Sequence, residues 1–202
     1  MARDENLPFA IGTTFYGADA TAINSSENSH LEGKEFLVED EDLSNGTIGS
    51  TSSRSGRMRK LRIVRNMNAT TLNAKEIAKL KVNGSTKDVV SGRVDGLCAS
   101  YSDKGYPVDE YLGSSGCPQY DLCYVVVDGY AKCKTDTAGD TNFGIGDVLV
   151  PGAGTAGRVI QLDGTVTGAN LFACVFNAIG RATEAVNATS ADVVVDVGAH
   201  RR

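Results

Sequence analysis

The chain has 202 residues, 23 of them glycine and 4 proline, with no tryptophan, a net charge of −5 and a pI near 5.1. The length allows one domain, or one domain with an arm. The acidic balance excludes a general nucleic-acid binder, whose domain is ordinarily basic. No apolar run reaches the roughly 18 residues of a membrane-spanning helix.

The start, MARDENLPFAIG, has neither a basic leader nor a long apolar stretch, so synthesis and folding in a cytosol are expected. Through residues 1–57 the large apolar residues come singly: Leu7, Phe9, Ile11, Phe15, Tyr16, Ile23 and Leu31. Between them lie Ser, Asn, Thr, Gly and acids, with no period of 2 or 3.6. Such a segment buries no core of its own. It reads as an extended arm that becomes ordered on a partner, with plain disorder as the alternative. Phe9, Phe15 and Tyr16 are its candidate contacts. An acidic block follows (Glu35, Glu39, Asp40, Glu41, Asp42), then a basic one (Arg54, Arg57, Arg59, Lys60, Arg62, Arg65). The basic block reads either as a docking patch or as a solvated strand face and loop. Alternation over 59–65 turns Leu61 and Ile63 inward and Lys60 and Arg62 outward. No aromatic is interleaved, so no base-stacking surface is indicated. Arg54, Arg57 and Arg59 are kept as candidate partner contacts.

Residues 58–202 read as a body of short strands. LRIV at 61–64 is one. Residues 72–82 fit a helix or a strand, and the neighbouring strands favour a strand. Residues 89–100 form a strand bent at Gly92 and Gly96. Residues 104–119, with Pro107 and Pro118, read as a loop. LCYVVVDGYAKCK at 122–134 is the strongest strand signal, and its Asp128-Gly129 is either a hairpin turn or a bulge. A polar loop over 135–147 leads to VLVP, a glycine turn and GRVIQL, then a turn at Asp163-Gly164. An apolar strand is expected at 171–176, one or two helical turns in 178–186, and a last strand, VVVDV, at 193–197. The sum is an all-β fold, a small barrel or sandwich.

The segment GDVLVPGAGTAG contains G-x-G-x-x-G at Gly152, Gly154 and Gly157. A dinucleotide loop needs a helix after the third glycine and an acid about 20 residues on. Here β-branched residues and more glycines follow, so the motif reads as a turn between strands. Cys98, Cys117, Cys123, Cys133 and Cys174 include no C-x-x-C pair, and the two histidines lie far apart at His30 and His200. Buried reduced thiols are the expectation, with inter- or intra-chain disulfides the alternative and Cys117 and Cys123 the most exposed, and neither a metal nor a cofactor is expected. Asp109, Glu110 and Asp121 are acids on loops, read as solvated or turn-forming, and no catalytic set is assigned. The nearby tyrosines, Tyr106 and Tyr111 among them, suit a contact surface.

From about residue 44 onward the chain resembles tailed-phage capsid decoration (cement) proteins, which are small β-rich virion proteins. The resemblance is carried by GRMRKLRIVRN (56–66), YPVDEYLGSSGCPQYDLCYVVVDGYAKCKT (106–135), GIGDVLVPGAGTAGRV (144–159), and IGRATEAV with VVVDVGAHRR (179–202). It implies a β-barrel-like body on a capsid shell, often at three-fold positions, with an arm along neighbouring capsomers. On that resemblance the expected partner is the major capsid protein, the expected assembly a homotrimer, and the expected place the capsid surface after synthesis in host cytoplasm. Membrane and direct nucleic-acid contacts are not expected, nor is enzymatic activity. The alternatives are another phage β-module (tail, connector or fibre attachment) or a glycan-binding module using the tyrosines of 101–124.

Overall fold

The strand most legible in the sequence is the one around which the chain is organised. In the computed structural model, which describes residues 7–15, 28–39, 58–83, 89–136, 142–162, 174–187 and 192–198, twelve strands occur in chain order. They are β1 (Glu35–Glu39), β2 (Met58–Asn66), β3 (Ile77–Val82), β4 (Val89–Leu97), β5 (Gly105–Pro107), β6 (Leu122–Cys133), β7 (Asn142–Phe143), β8 (Val148–Pro151), β9 (Val159–Gln161), β10 (Gly180–Ala182), β11 (Val186–Asn187) and β12 (Val193–Val197). The fold is all-β. Ten strands form one mixed sheet in the order β5-β3-β4-β2-β6-β12-β10-β8-β9, with β1 added to β2. β7 and β11 make a separate pair. The ladder between β2 and β4 is parallel, and the others are antiparallel.

β6 is long enough to serve two partners. Leu122 to Asp128 pair with β2, and Gly129 to Cys133 pair with β12. Asp128-Gly129 therefore lies inside a long strand, and the ladder to β2 shifts register beside it, between Lys60 and Leu61. Both ends of the sheet return to this strand. Val108, just after β5, bridges Val125, and the Asp109 N–H donates to the Tyr124 carbonyl at 3.1 Å. At the far end Val159 of β9 bridges Thr135, two residues past the end of β6. The first ring, β2-β4-β3-β5-β6, is filled by Val64, Ala78, Leu80, Val94, Tyr106, Cys123 and Val125. The opposite face of β2 and β6 shares a second core with β12, β10, β8 and β9.

Gly157 joins the two halves. The Ile77 N–H donates to its carbonyl at 2.8 Å, and its own N–H donates to the Cys98 carbonyl at 2.7 Å. Its φ is +79°, and a Cβ there would lie 3.2 Å from Glu76 Cβ and from both Leu97 methyl carbons. The glycine motif is thus the turn between β8 and β9, with its third glycine needed for close packing.

Several expectations are corrected. Residues 7–15 and 28–39, expected within a free arm, lie on the body. The Phe15 N–H and carbonyl exchange hydrogen bonds with Leu122 at 2.9 Å each, and β1 is a full strand of the sheet. The segment has no periodicity because it contributes one anchor at a time to cores built by other residues: Leu7, Phe9, Ile11, Phe15 and Leu31 all pack there. At Gly92 a Cβ would stand 2.1 Å from the Gly33 nitrogen, so this strap runs directly against β4. The expected 104–119 loop contains β5, hidden by its length of three residues and its proline. The expected strand at 171–176 is a helical turn over its described end, residues 174–177, leaving Val175 and Phe176 exposed. The expected helical turns in 178–186 are instead β10 and the start of β11. Backbone packing decides this: a Cβ at Gly180 would lie 2.1 Å from the Asp196 carbonyl oxygen.

Candidate partner-binding face

The β1–β2 hairpin places Glu35 opposite Arg62, Leu37 opposite Lys60 and Glu39 opposite Met58. Residues directly opposite in an antiparallel pair share a face. On this face Leu37 is 61% exposed and Met58 47%. Beside them opens a cavity of about 280 Å³ lined by Glu35, Lys60, Arg62, Tyr106, Val127, Asp128 and Gly198. It is the mouth of the first ring, because Tyr106 and Val127 belong to that ring's core cluster.

The electrostatics of the mouth centre on Glu35. Its carboxylate accepts from Lys60 Nζ and from the Arg62 guanidinium, the Arg62 Nε contact measuring 2.9 Å. The Arg62 guanidinium lies 5.2 Å from the Tyr106 ring centroid, a cation–π arrangement. Burial alone raises the Glu35 pKa, but the two hydrogen bonds and the positive charges outweigh it, so the carboxyl sits below its ordinary value. The face thus combines exposed apolar side chains with a rim of fixed charges, the anatomy of a protein contact.

The other sequence-predicted contacts are placed differently. Phe9 stacks on Tyr124 at 4.4 Å between centroids and lies 5.6 Å from Phe15. The Tyr124 hydroxyl donates to the Phe9 carbonyl at 2.8 Å. Both phenylalanines are therefore used within the chain. Arg59 is 1% exposed, with Nη2 3.2 Å from Asp109 Oδ1 and Nη1 3.9 Å from Glu110 Oε1. Its guanidinium lies 4.8 Å from the Tyr111 ring centroid, which turns that tyrosine to an internal role. The period that sends Leu61 and Ile63 inward sends Arg59 inward too. Asp109 and Asp121, read as solvated or turn-forming, are buried. Tyr106 alone of the predicted contacts lines the cavity, while Tyr16, Arg54 and Arg57 lie outside the described residues. Leu37 and Met58 were not predicted. The stretch EFLVE carries a weak strand signal, but its pairing with 58–62 is not written locally.

All five cysteines are buried thiols, including Cys117 and Cys123, which were expected to be the most exposed. Burial pushes the thiols of Cys98, Cys133 and Cys174 upward, away from the reactive thiolate. Among the described residues no group of three or more His, Cys, Asp or Glu side chains is arranged to hold a metal ion. No protein-family model, curated protein or solved structure matches the chain.

Proposed function

We propose that the protein is a virion structural protein that decorates and stabilises a capsid shell, docking through the β1–β2 face and the mouth beside it. The observation that carries this reading is Leu37 and Met58, two large apolar side chains exposed on one face of the β1–β2 pair, with β1 at an edge of the sheet. Edge strands invite pairing, and natural proteins commonly cover or charge them. A second apolar spot, Val175 and Phe176 on the 174–177 turn, belongs to a different element. Two separate modest contacts suit a protein that bridges several subunits and gains avidity from doing so. The resemblance to decoration proteins supplies the shell as partner and the trimer as assembly. A glycan reading is less favoured, because Tyr106 and Tyr124 are buried and the half-buried Tyr111 is engaged by the Arg59 guanidinium.

The test uses point substitutions, because removing residues 1–50 would take away β1 and the Phe9–Tyr124 stack. The double variant Leu37→Ser, Met58→Ser is expected to keep its melting temperature and to lose about 100-fold in affinity for shells lacking the protein, measured by co-sedimentation. Full binding by the folded variant would sink the reading.

A further inference from the structure

The edge of β1 that faces away from β2 is open. Among the described residues β1 pairs with β2 alone, whereas the β5 and β9 ends of the sheet are bridged to β6 or to the residues just past it. The Ile63 N–H donates to the Lys34 carbonyl at 3.0 Å, which fixes the alternation along the strand. Phe36 and Val38 then direct their backbone groups at β2, and Glu35, Leu37 and Glu39 direct theirs outward. The side chains alternate between the two faces of the sheet. Val38 is buried, Phe36 is half-buried against the core, and Leu37 stands on the exposed face.

We propose that this edge takes the β1 edge of a second copy of the chain, antiparallel, about a two-fold axis at Leu37. The strand EFLVE reads acid, three apolar residues, acid, so it complements itself in that register. Leu37 meets the second copy's Leu37, and Phe36 meets the second copy's Val38, each opposite an apolar residue on its own face. Glu35, Leu37 and Glu39 pair with their counterparts through both backbone groups, about six hydrogen bonds in all. A slip of one residue sets Leu37 against side chains of the other face, and a slip of two sets it against an acid. The chosen register brings the second copy's Glu39 opposite Glu35, and like charges directly opposite repel. Here Glu35 already accepts from Lys60 and from the Arg62 guanidinium, two cations against one carboxylate. The second copy's acid therefore meets a cluster of net positive charge, at both ends of the pair. Opposite residues share a face, so Leu37 and Met58 of both copies end on one continuous surface. The pairing is independent of what that surface docks on. Being two-fold, it lies outside any three-fold assembly and joins one such assembly to the next.

The test is sedimentation velocity of the full chain from about 1 to about 500 μM. A monomer–dimer equilibrium is expected, weak because one strand pair is smaller than a standard interface. Leu37→Pro removes an N–H that is directed away from β2. The variant is expected to keep its melting temperature and to raise the dimer Kd at least about 10-fold. Lys60→Gln lowers the charge around Glu35 and is expected to weaken the dimer about 3-fold at low salt, and less at about 0.5 M salt. Leu37→Cys checks the register without a proline. On the axis the two Cα atoms lie about 5.5 Å apart, so mild oxidation should link the copies. Val82→Cys, on a residue 41% exposed in β3, should link far more slowly. A chain monomeric to the top of the range, or an oligomer that Leu37→Pro leaves intact, would overturn the proposal. So would a Lys60→Gln dimer as tight as the native one, or linkage at residue 82 as fast as at 37.

Discussion

β2 and β12 flank successive halves of β6 and are built on opposite principles. β12 is VVVDV. Its four valines are buried, and only Asp196 reaches solvent. β2 is MRKLRIVRN, and its inward face carries Arg59 and Arg65 as well as Leu61 and Ile63. A buried guanidinium needs carboxylates, and β2 has none of its own. They come from elsewhere in the chain: Asp109 and Glu110 from the loop after β5, and Glu32 from the strap before β1. Glu32 spans two strands, accepting from Arg65 Nε at 2.5 Å and Arg93 Nε at 2.6 Å, while Arg65 and Arg93 face each other across the parallel ladder. The apolar half is thus held by side chains of its own strands. The charged half is held by segments distant in sequence, which is why the front of the chain cannot be separated from the body.

The largest effect should come from breaking that clamp. Glu32→Gln leaves two arginines adjacent, one of them fully buried, and is expected to cost about 3–5 kcal/mol in urea unfolding. Val195→Ala, its counterpart in β12, removes two buried methyl groups and is expected to cost about 2 kcal/mol, cavity included. Equal costs would erase the contrast between the halves. A smaller loss follows at the seam. Gly157→Ala places a side chain at φ +79° and against Glu76 and Leu97, and should cost about 1–2 kcal/mol. Hydrogen exchange would show whether the Ile77 amide and the amide of residue 157 itself loosen together, as two halves parting at one residue requires.

The sequence told most where a strand decides its own fate. Residues 122–133 and 193–197 are readable because a run of β-branched and aromatic residues needs no outside partner to become a strand. The β8–β9 turn is readable because helix formation after Gly157 is locally unfavourable. Three failures share one cause. β5 and β10 are three residues each, too short for a period, and are fixed by Gly105 and Gly180 packing against neighbouring backbone. The inward turn of Arg59 follows from the alternation at Leu61 and Ile63, but accepting it requires knowing that Asp109 waits on the far side of the ring. The candidate face was half legible. Tyr106 stood out as an aromatic, whereas the exposure of Leu37 and Met58 depends on which strands lie beside β1 and β2.

The smallest effect tests the surface end of the same strand, where Lys60 and Arg62 meet Glu35 in partial exposure. Because the folded pKa of Glu35 lies below its ordinary value, the carboxylate stabilises the fold above that ordinary value, near 4.5, and the gain is lost as pH falls through the folded pKa. Glu35→Gln removes the titration. The stability difference between the native protein and this variant should be constant above roughly pH 5 and shrink toward pH 3, with a plateau under about 1 kcal/mol because solvent screens the pair. A difference independent of pH would mean that Lys60 and Arg62 hold Glu35 through hydrogen bonds that a neutral amide replaces equally well.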